Sequence, residues 1–120
     1  MTNPALLYRD LLRGGTAAHI TRAQVTATRP KALHTQDFYE LFWLQNGKIR
    51  HHQPEGVTLL TEGALVFMRP EDQHALQGRG DQALVVSLTL HPQLIDALGK
   101  RHKALPGHLF WADDVQTLHL

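Results

Sequence analysis

Apolar and polar positions alternate in short runs along most of this chain, and turn residues interrupt them at intervals of roughly ten residues. Residues 18–28 are rich in Thr, Val and Ile and predict a strand that ends before Arg29-Pro30. Residues 37–45 carry Phe38, Tyr39, Leu41, Phe42, Trp43 and Leu44, the strongest strand signal, with both faces covered. Asn46-Gly47 tolerates positive φ and suits a two-residue hairpin, with residues 48–52 as the return strand. Pro54-Glu55-Gly56 predicts a second turn and residues 57–60 a further short strand. Glu62-Gly63 turns into an apolar strand at 64–69; residues 70–73 form a loop and 75–76 a short continuation. Arg79-Gly80-Asp81 then turns into the last strong strand, 83–90. Such spacing predicts an all-β sandwich or barrel.

The period changes at both ends. Leu6, Leu7, Leu11 and Leu12 sit at helix-compatible spacing within residues 4–13, which predicts one short helix or a packed arm stopped by Gly14-Gly15. Leu94, Ile95, Leu98 and His102 have helical spacing within 92–103, with Pro92 placed to open a helix and Gly99 as an interruption inside it. Residues 104–107 read as a linker. Trp111, Val115 and Leu118 fall at i, i+4 and i+7 and predict a second short helix. The whole is expected to be one domain: an arm at 1–17, a barrel at 18–90, and a helix and tail at 91–120.

The segment His34-Thr35-Gln36-Asp37-Phe38-Tyr39-Glu40 bears the candidate chemistry. Alternate residues of a strand share a face, so His34, Gln36, Phe38, Glu40, Phe42 and Leu44 fall on one side. Three ligand-capable polar groups beside three large apolar ones suit the wall of a pocket. His74 follows a proline turn after Gly63, Leu65 and Phe67. His51 and His52 are adjacent, point to opposite faces, and are expected at the surface or pocket rim. Glu40 has a plainer role available, pairing with Arg69 or a histidine inside the barrel. Phe38 and Phe42 are expected to serve as core, although a sugar ring could stack on either. Trp43, on the opposite face from Glu40, is expected to pack under a helix or a second sheet.

Composition narrows the function classes. At 120 residues, 42% of them hydrophobic, the chain has the size and apolar content of one folded domain. A net charge of +1 with histidine neutral removes the electrostatic case for nucleic-acid binding. Without cysteine there are no disulfides, thiolate zinc sites or cysteine nucleophiles. No apolar run approaches the ~20 residues of a membrane span. Arg9, Asp10 and Arg13 among the first leucines make a poor signal peptide, so a cytoplasmic protein is expected.

His34, Gln36, Glu40 and Gly47 resemble the first cupin motif, two histidines two apart followed by a glutamate and a glycine. Gly63, Pro70 and His74 resemble the second, glycine then proline then histidine. The wording His-Thr-Gln-Asp-Phe-Tyr-Glu-Leu-Phe-Trp and Phe-Met-Arg-Pro-Glu-Asp-Gln-His resembles the N-terminal sensing and dimerisation domains of AraC-type transcription regulators, over about residues 18–90. The resemblance implies a small cupin barrel (a double-stranded β-helix or jelly roll) with one or two short C-terminal helices. It also implies that His34, Gln36, Glu40 and His74 would ligate one divalent ion, to which zinc, nickel, manganese or iron would all be acceptable. Two departures stand out. Gln36 replaces the second histidine, which weakens metal affinity, although a metal-dependent sugar-phosphate isomerase family also uses glutamine in such a set. Pro70-Glu71-Asp72 replaces the usual proline-x-glycine before the last histidine.

The expected function is small-molecule sensing, with a sugar as one candidate, and homodimerisation in a regulator of this type. His34, Gln36, Phe38, Glu40, Phe42 and His74 would line the ligand pocket. The helix after the barrel, with Leu94, Ile95 and Leu98, would be core or dimer seam. Such regulators bind DNA through a C-terminal pair of helix-turn-helix units, for which a chain ending at Leu120 has no length, so no nucleic-acid partner is expected by that route. The alternative is a small metal-dependent cupin enzyme, an isomerase or dioxygenase, in which the metal acts as Lewis acid or oxygen-activating centre.

Overall fold

A computed structural model of the chain describes residues 5–12, 16–29, 32–80 and 82–119; the Gly14-Gly15 stop, Pro30 and Asp81 lie outside these. The strands are β1 (Ala5–Leu6), β2 (Ala18–Gln24), β3 (Thr35–Gln36), β4 (Tyr39–Asn46), β5 (Lys48–Gln53), β6 (Gly56–Thr61), β7 (Ala64–Met68), β8 (Ala75–Gly78), β9 (Leu84–Leu90) and β10 (Gln116–His119). Two helices accompany them, α1 (Tyr8–Leu11) and α2 (Pro92–Arg101), together with a 3-10 turn at Leu109–Trp111. A five-stranded sheet in the order β10-β7-β4-β9-β2 faces a three-stranded sheet in the order β6-β5-β8, while β1 and β3 pair in parallel beside them.

Strand parity places the core. On β4, β7 and β9 the inner-facing Phe42, Leu44, Ala64, Val66, Met68 and Val85 meet Ile49 and Leu60 of the smaller sheet, all at most 3% exposed. The outer-facing Tyr39, Leu41, Leu65 and Phe67 pack with Ile95 of α2, Phe110 and Trp111, which form a second cluster on the back of the large sheet. Burying each large side chain contributes ~1.5–3 kcal/mol, so the two layers fix which face of each strand looks inward.

Several expectations need correction. Asn46-Gly47 is not a hairpin turn. β4 pairs with β7 and β9, and β5 pairs with β6 and β8, so the chain crosses from one sheet to the other at this corner. Only Gly47 takes positive φ there, at 87°. The tight two-residue turn is Pro54-Glu55, between the paired Gln53 and Gly56. The second C-terminal helix is absent: the tail makes the 3-10 turn and then β10, which adds to the free edge of β7. Three residues at helical spacing were outweighed by an open row of backbone groups on β7. The strand expected over 18–28 ends at Gln24, after which Val25 donates to the carbonyl of Ala83 and Gly78 donates to that of Ala27. Of the two readings of the N-terminal leucines the structure takes the packed arm over the single helix: β1 pairs with β3, and α1 is one turn whose Tyr8 N–H is accepted by Asp37 Oδ1 at 2.5 Å. Of the stripe on α2 only Ile95 is buried, and Leu94 and Leu98 stay exposed. Gly99 has a packing reason, since a Cβ there would lie 2.3 Å from the Trp111 indole nitrogen. Trp43 is half-buried, its indole N–H donating to Gln45 at 3.3 Å.

Gly47 and Gly107 share a left-handed backbone, φ 87° and 86°, but a Cβ at Gly47 would meet the carbonyl oxygen of Gln82 at 2.5 Å, and at Gly107 nothing within 4 Å. Gly107→Ala should therefore cost ~1–2 kcal/mol of backbone strain alone. Gly47→Ala should cost clearly more in urea denaturation; equal losses would show that the corner is not tightly packed.

Candidate functional site

The inner face of the large sheet turns polar toward one end. Along β4 it runs Leu44, Phe42, Glu40, and along β9 Val85, Ser87, Thr89, with Phe42 opposite Ser87 and Glu40 opposite Thr89. Directly paired residues share a face, so His19 and Thr21 of β2, opposite Thr89 and Ser87, continue that layer. Every residue of β2 is exposed, which leaves the polar layer open along this edge.

His74 sits at the centre. Its backbone forms an isolated bridge with His34, N–H to carbonyl both ways at 2.9 and 3.1 Å. Glu71 N–H donates to the Gln36 carbonyl, so the loop before β8 is laced to the strand that bears the first motif. The loop turns through Glu71 with φ 72°, and Asp72 holds it by accepting from Arg69 Nε at 2.9 Å. Arg69 also donates to the Ala112 carbonyl, so it is engaged here and does not pair with Glu40 as the sequence allowed.

The His74 imidazole is 3% exposed. Its Nδ1 lies 3.0 Å from His51 Nε2, and its Nε2, without a hydrogen-bond partner, lies 3.6 Å from Glu40 Oε1. The His34 ring approaches it at 4.5 Å between centroids, and Phe42 touches both His51 and His74. The structure thus gathers His34, Glu40, Phe42 and His74. Gln36 is 1% exposed; its Nε2 donates to the Phe38 carbonyl and its Oε1 has no partner. Phe38 is buried at a bend between β3 and β4. His51, expected at the surface or rim, is instead 1% exposed and is the partner of His74. Its parity with Ile49, two residues before it and fully buried, is the signal that would have found it. His52 does point the other way, to Gln77 Oε1 at 2.6 Å.

A cavity of about 380 Å³ opens beside His34, walled mainly by small and apolar residues including Ala23, Val25, Ala27, Ala75 and Leu76. A larger cleft of about 640 Å³, lined by Arg69, Glu71, Asp72 and Asp114, touches none of the predicted site residues. Among the described residues no group of three or more His, Cys, Asp or Glu side chains converges as a metal ion would require. Two buried polar atoms, His74 Nε2 and Gln36 Oε1, nevertheless remain without hydrogen-bond partners.

No protein-family profile matches the sequence, and no curated protein matches it. Solved structures do match. Apo ToxT K231A from Vibrio cholerae has a TM-score of 0.66 at 14% identity, over 88% of this chain and 42% of that one; unsaturated fatty acid-bound wild-type ToxT gives 0.64 at 16% over the same shares. A cupin 2 conserved barrel domain protein from Salinispora arenicola matches with a TM-score of 0.59 at 14% identity, over 75% of this chain and 76% of that one. Apo-HppE matches at 0.54 and 17%, over 62% and 42%. The fold is a cupin barrel, shared with ToxT and with the Salinispora barrel domain protein, and the chain spans about 42% of the length of ToxT. Among the described residues no helix is long and apolar enough to cross a membrane.

Burial sets the protonation of the site. Desolvation lowers His51 to about 4 and His74 to about 2, with neighbouring histidines adding to the effect. Desolvation raises Glu40 to about 7, against an opposing hydrogen bond from Ser87. As pH falls below 6.5, the ordinary value, the unfolded chain takes up protons that the two native histidines refuse, so their contribution is full above 6.5 and lost on the way down through 4 and 2. Glu40 runs the other way: between its ordinary 4.5 and about 7 the native protein keeps a proton the unfolded chain has lost, so its contribution shrinks as pH rises. Two histidines outweigh one carboxyl. Burial lowers His34 in the same direction, so stability of the metal-free protein should fall from pH 6.5 to 4.5 by at least ~1.4 kcal/mol per pH unit, one net proton. In His74→Gln one of the refusing histidines is gone and the slope should become shallower. An equally steep profile in the variant, followed by urea denaturation at several pH values, would contradict this assignment.

Proposed function

We propose that this chain is a small-molecule-sensing cupin domain of the AraC type, with its ligand seated beside His34 against the His74–Glu40 pair. The observation that carries the reading is the pair of buried polar atoms without partners, His74 Nε2 and Gln36 Oε1, in a barrel whose polar layer is open at β2. A buried polar group left unpaired costs ~1–3 kcal/mol, and a ligand that satisfies it recovers that cost. The fatty acid held by the structurally similar ToxT supports ligand binding as a use of this fold. The unpartnered His74 Nε2 and Gln36 Oε1 and the layer of Ser87, Thr89 and His19 favour a small polar molecule, with a sugar as the leading class. In this reading His34, Gln36, Glu40 and His74 supply hydrogen bonds, Phe38 and Phe42 form the apolar floor, and β1, paired at Leu6 with Gln36, registers occupancy. Homodimerisation through α2, whose Leu94 and Leu98 are exposed, belongs to the same reading and is measured by sedimentation.

One observation favours a second reading. HppE, which shares the barrel, has been seen with Fe(II) and substrate, and His74 Nε2 is free to ligate. One divalent ion, whether zinc, nickel, manganese or iron, would then be held by His34, Gln36, Glu40 and His74 after these side chains move together. That cation would supply Lewis-acid or oxygen-activating chemistry in a cupin isomerase or dioxygenase.

A thermal-shift panel of monosaccharides, fatty acids and these divalent ions separates the readings. A ligand at a hundred times its Kd stabilises by ~2.7 kcal/mol. A monosaccharide should raise Tm by several degrees in the wild type and not in Ala23→Phe, which fills the cavity from the exposed edge. A shift produced by divalent ions alone, and lost in the His34→Ala/His74→Ala double variant, would replace the sensor reading with the metal one.

A further inference from the structure

His51 belongs to none of the expected ligand sets, yet it is among the most buried polar residues of the barrel and its ring is locked in place. Phe42 meets it edge-on with centroids 5.3 Å apart, and the His74 ring stands at 86° to it. The 3.0 Å between His51 Nε2 and His74 Nδ1 is a hydrogen bond, and two neutral imidazoles share one proton across it. Two arrangements are therefore open. If His51 donates, the remaining proton of His74 lies on Nε2. If His74 donates, its Nε2 is bare.

The far side of His74 decides between them. Its Nε2 faces Glu40 Oε1 at 3.6 Å, and among the described residues no Lys or Arg pairs with Glu40, since Arg69 is engaged with Asp72. With Glu40 ionised, a bare Nε2 would oppose its lone pair to a carboxylate oxygen, whereas a protonated Nε2 is attracted to it. That separation exceeds a direct hydrogen bond, and a slight widening of it admits one oxygen that accepts from the first and donates to the second. A hydroxyl can do both. A carboxylate can only accept, and would meet Glu40 as a second acceptor.

We propose that His51 is a positioning residue that donates its Nε2–H to His74 Nδ1, holding His74 as the Nε2–H tautomer so that His74 and Glu40 form a donor–acceptor pair selective for a ligand hydroxyl over a carboxylate. This rests on the reading of the barrel as a ligand pocket, but the tautomer is a property of the ligand-free protein and is measured without any ligand.

Two-bond proton–nitrogen correlation spectra of the uniformly nitrogen-15-labelled protein at pH 8, where Glu40 is ionised, report the tautomer directly. The expected spectrum shows a protonated-type shift at His74 Nε2 and a bare-type shift at Nδ1. His51→Gln, whose amide can still donate, should preserve it; His51→Phe, which cannot, should lose it to a mixture of tautomers. A wild-type His74 protonated at Nδ1 with a bare Nε2, the form a cation requires, overturns the proposal, and this result needs no variant to fold. So does an unchanged His74 pattern in His51→Phe. Titrating the wild type with glycerol, a minimal polyol, should shift the His74 Nε2 signal, whereas acetate should not. The expected tautomer with no response to glycerol would uphold the role of His51 and overturn the hydroxyl pocket; a response to acetate alone would overturn the selectivity.

Discussion

Burying an imidazole is unfavourable unless its ring nitrogens find partners. At His74 one does, in His51 at 3.0 Å, and the other faces Glu40 at 3.6 Å without making a hydrogen bond. Three parts of the fold meet at this ring. β5 supplies His51, β4 supplies Glu40, and the backbone bridge to His34 ties the loop before β8 to the strand that bears the first motif. The barrel can hold its apolar core, from Phe42 to Ile49 and Leu60, without any of these polar groups. It cannot hold them where they are without leaving His74 Nε2 and Gln36 Oε1 unsatisfied. The polar end of the barrel is therefore costly for folding alone, and a bound polar group offsets that cost.

ToxT and HppE share the fold at 14–17% identity, and one is seen with a fatty acid and the other with Fe(II) and substrate. Fold alone does not choose between such uses. In the present site Gln36 stands where the cupin motif it resembles has a histidine, and His51 engages His74 Nδ1. Both turn a donor set suited to a cation toward one suited to hydrogen bonding.

Much of the strand order was legible because strand parity is a local property. The alternation through Glu40, Phe42 and Leu44 placed the inner face correctly, and the resemblance to the two motifs brought His74 to His34, whose backbone bridge the sequence did not foretell. What failed depended on partners distant in sequence. Asn46-Gly47 has the chemistry of a hairpin, but the chain uses Gly47 to cross between sheets, and nothing in the dipeptide distinguishes the two. Trp111, Val115 and Leu118 match a helix over three positions, whereas the open edge of β7 decides that the tail is a strand. His51 was missed because it was judged by its neighbour His52 instead of by Ile49, with which it shares a face.

The central claim is that the gap between His74 Nε2 and Glu40 Oε1 is a seat for an oxygen that bridges them. A high-resolution crystal structure of the purified protein tests it most directly. The account predicts density for a water or a ligand hydroxyl within hydrogen-bonding distance of both atoms. A Glu40 carboxyl closed directly onto His74, with no atom between them and the cavity beside His34 filled by protein, would contradict it.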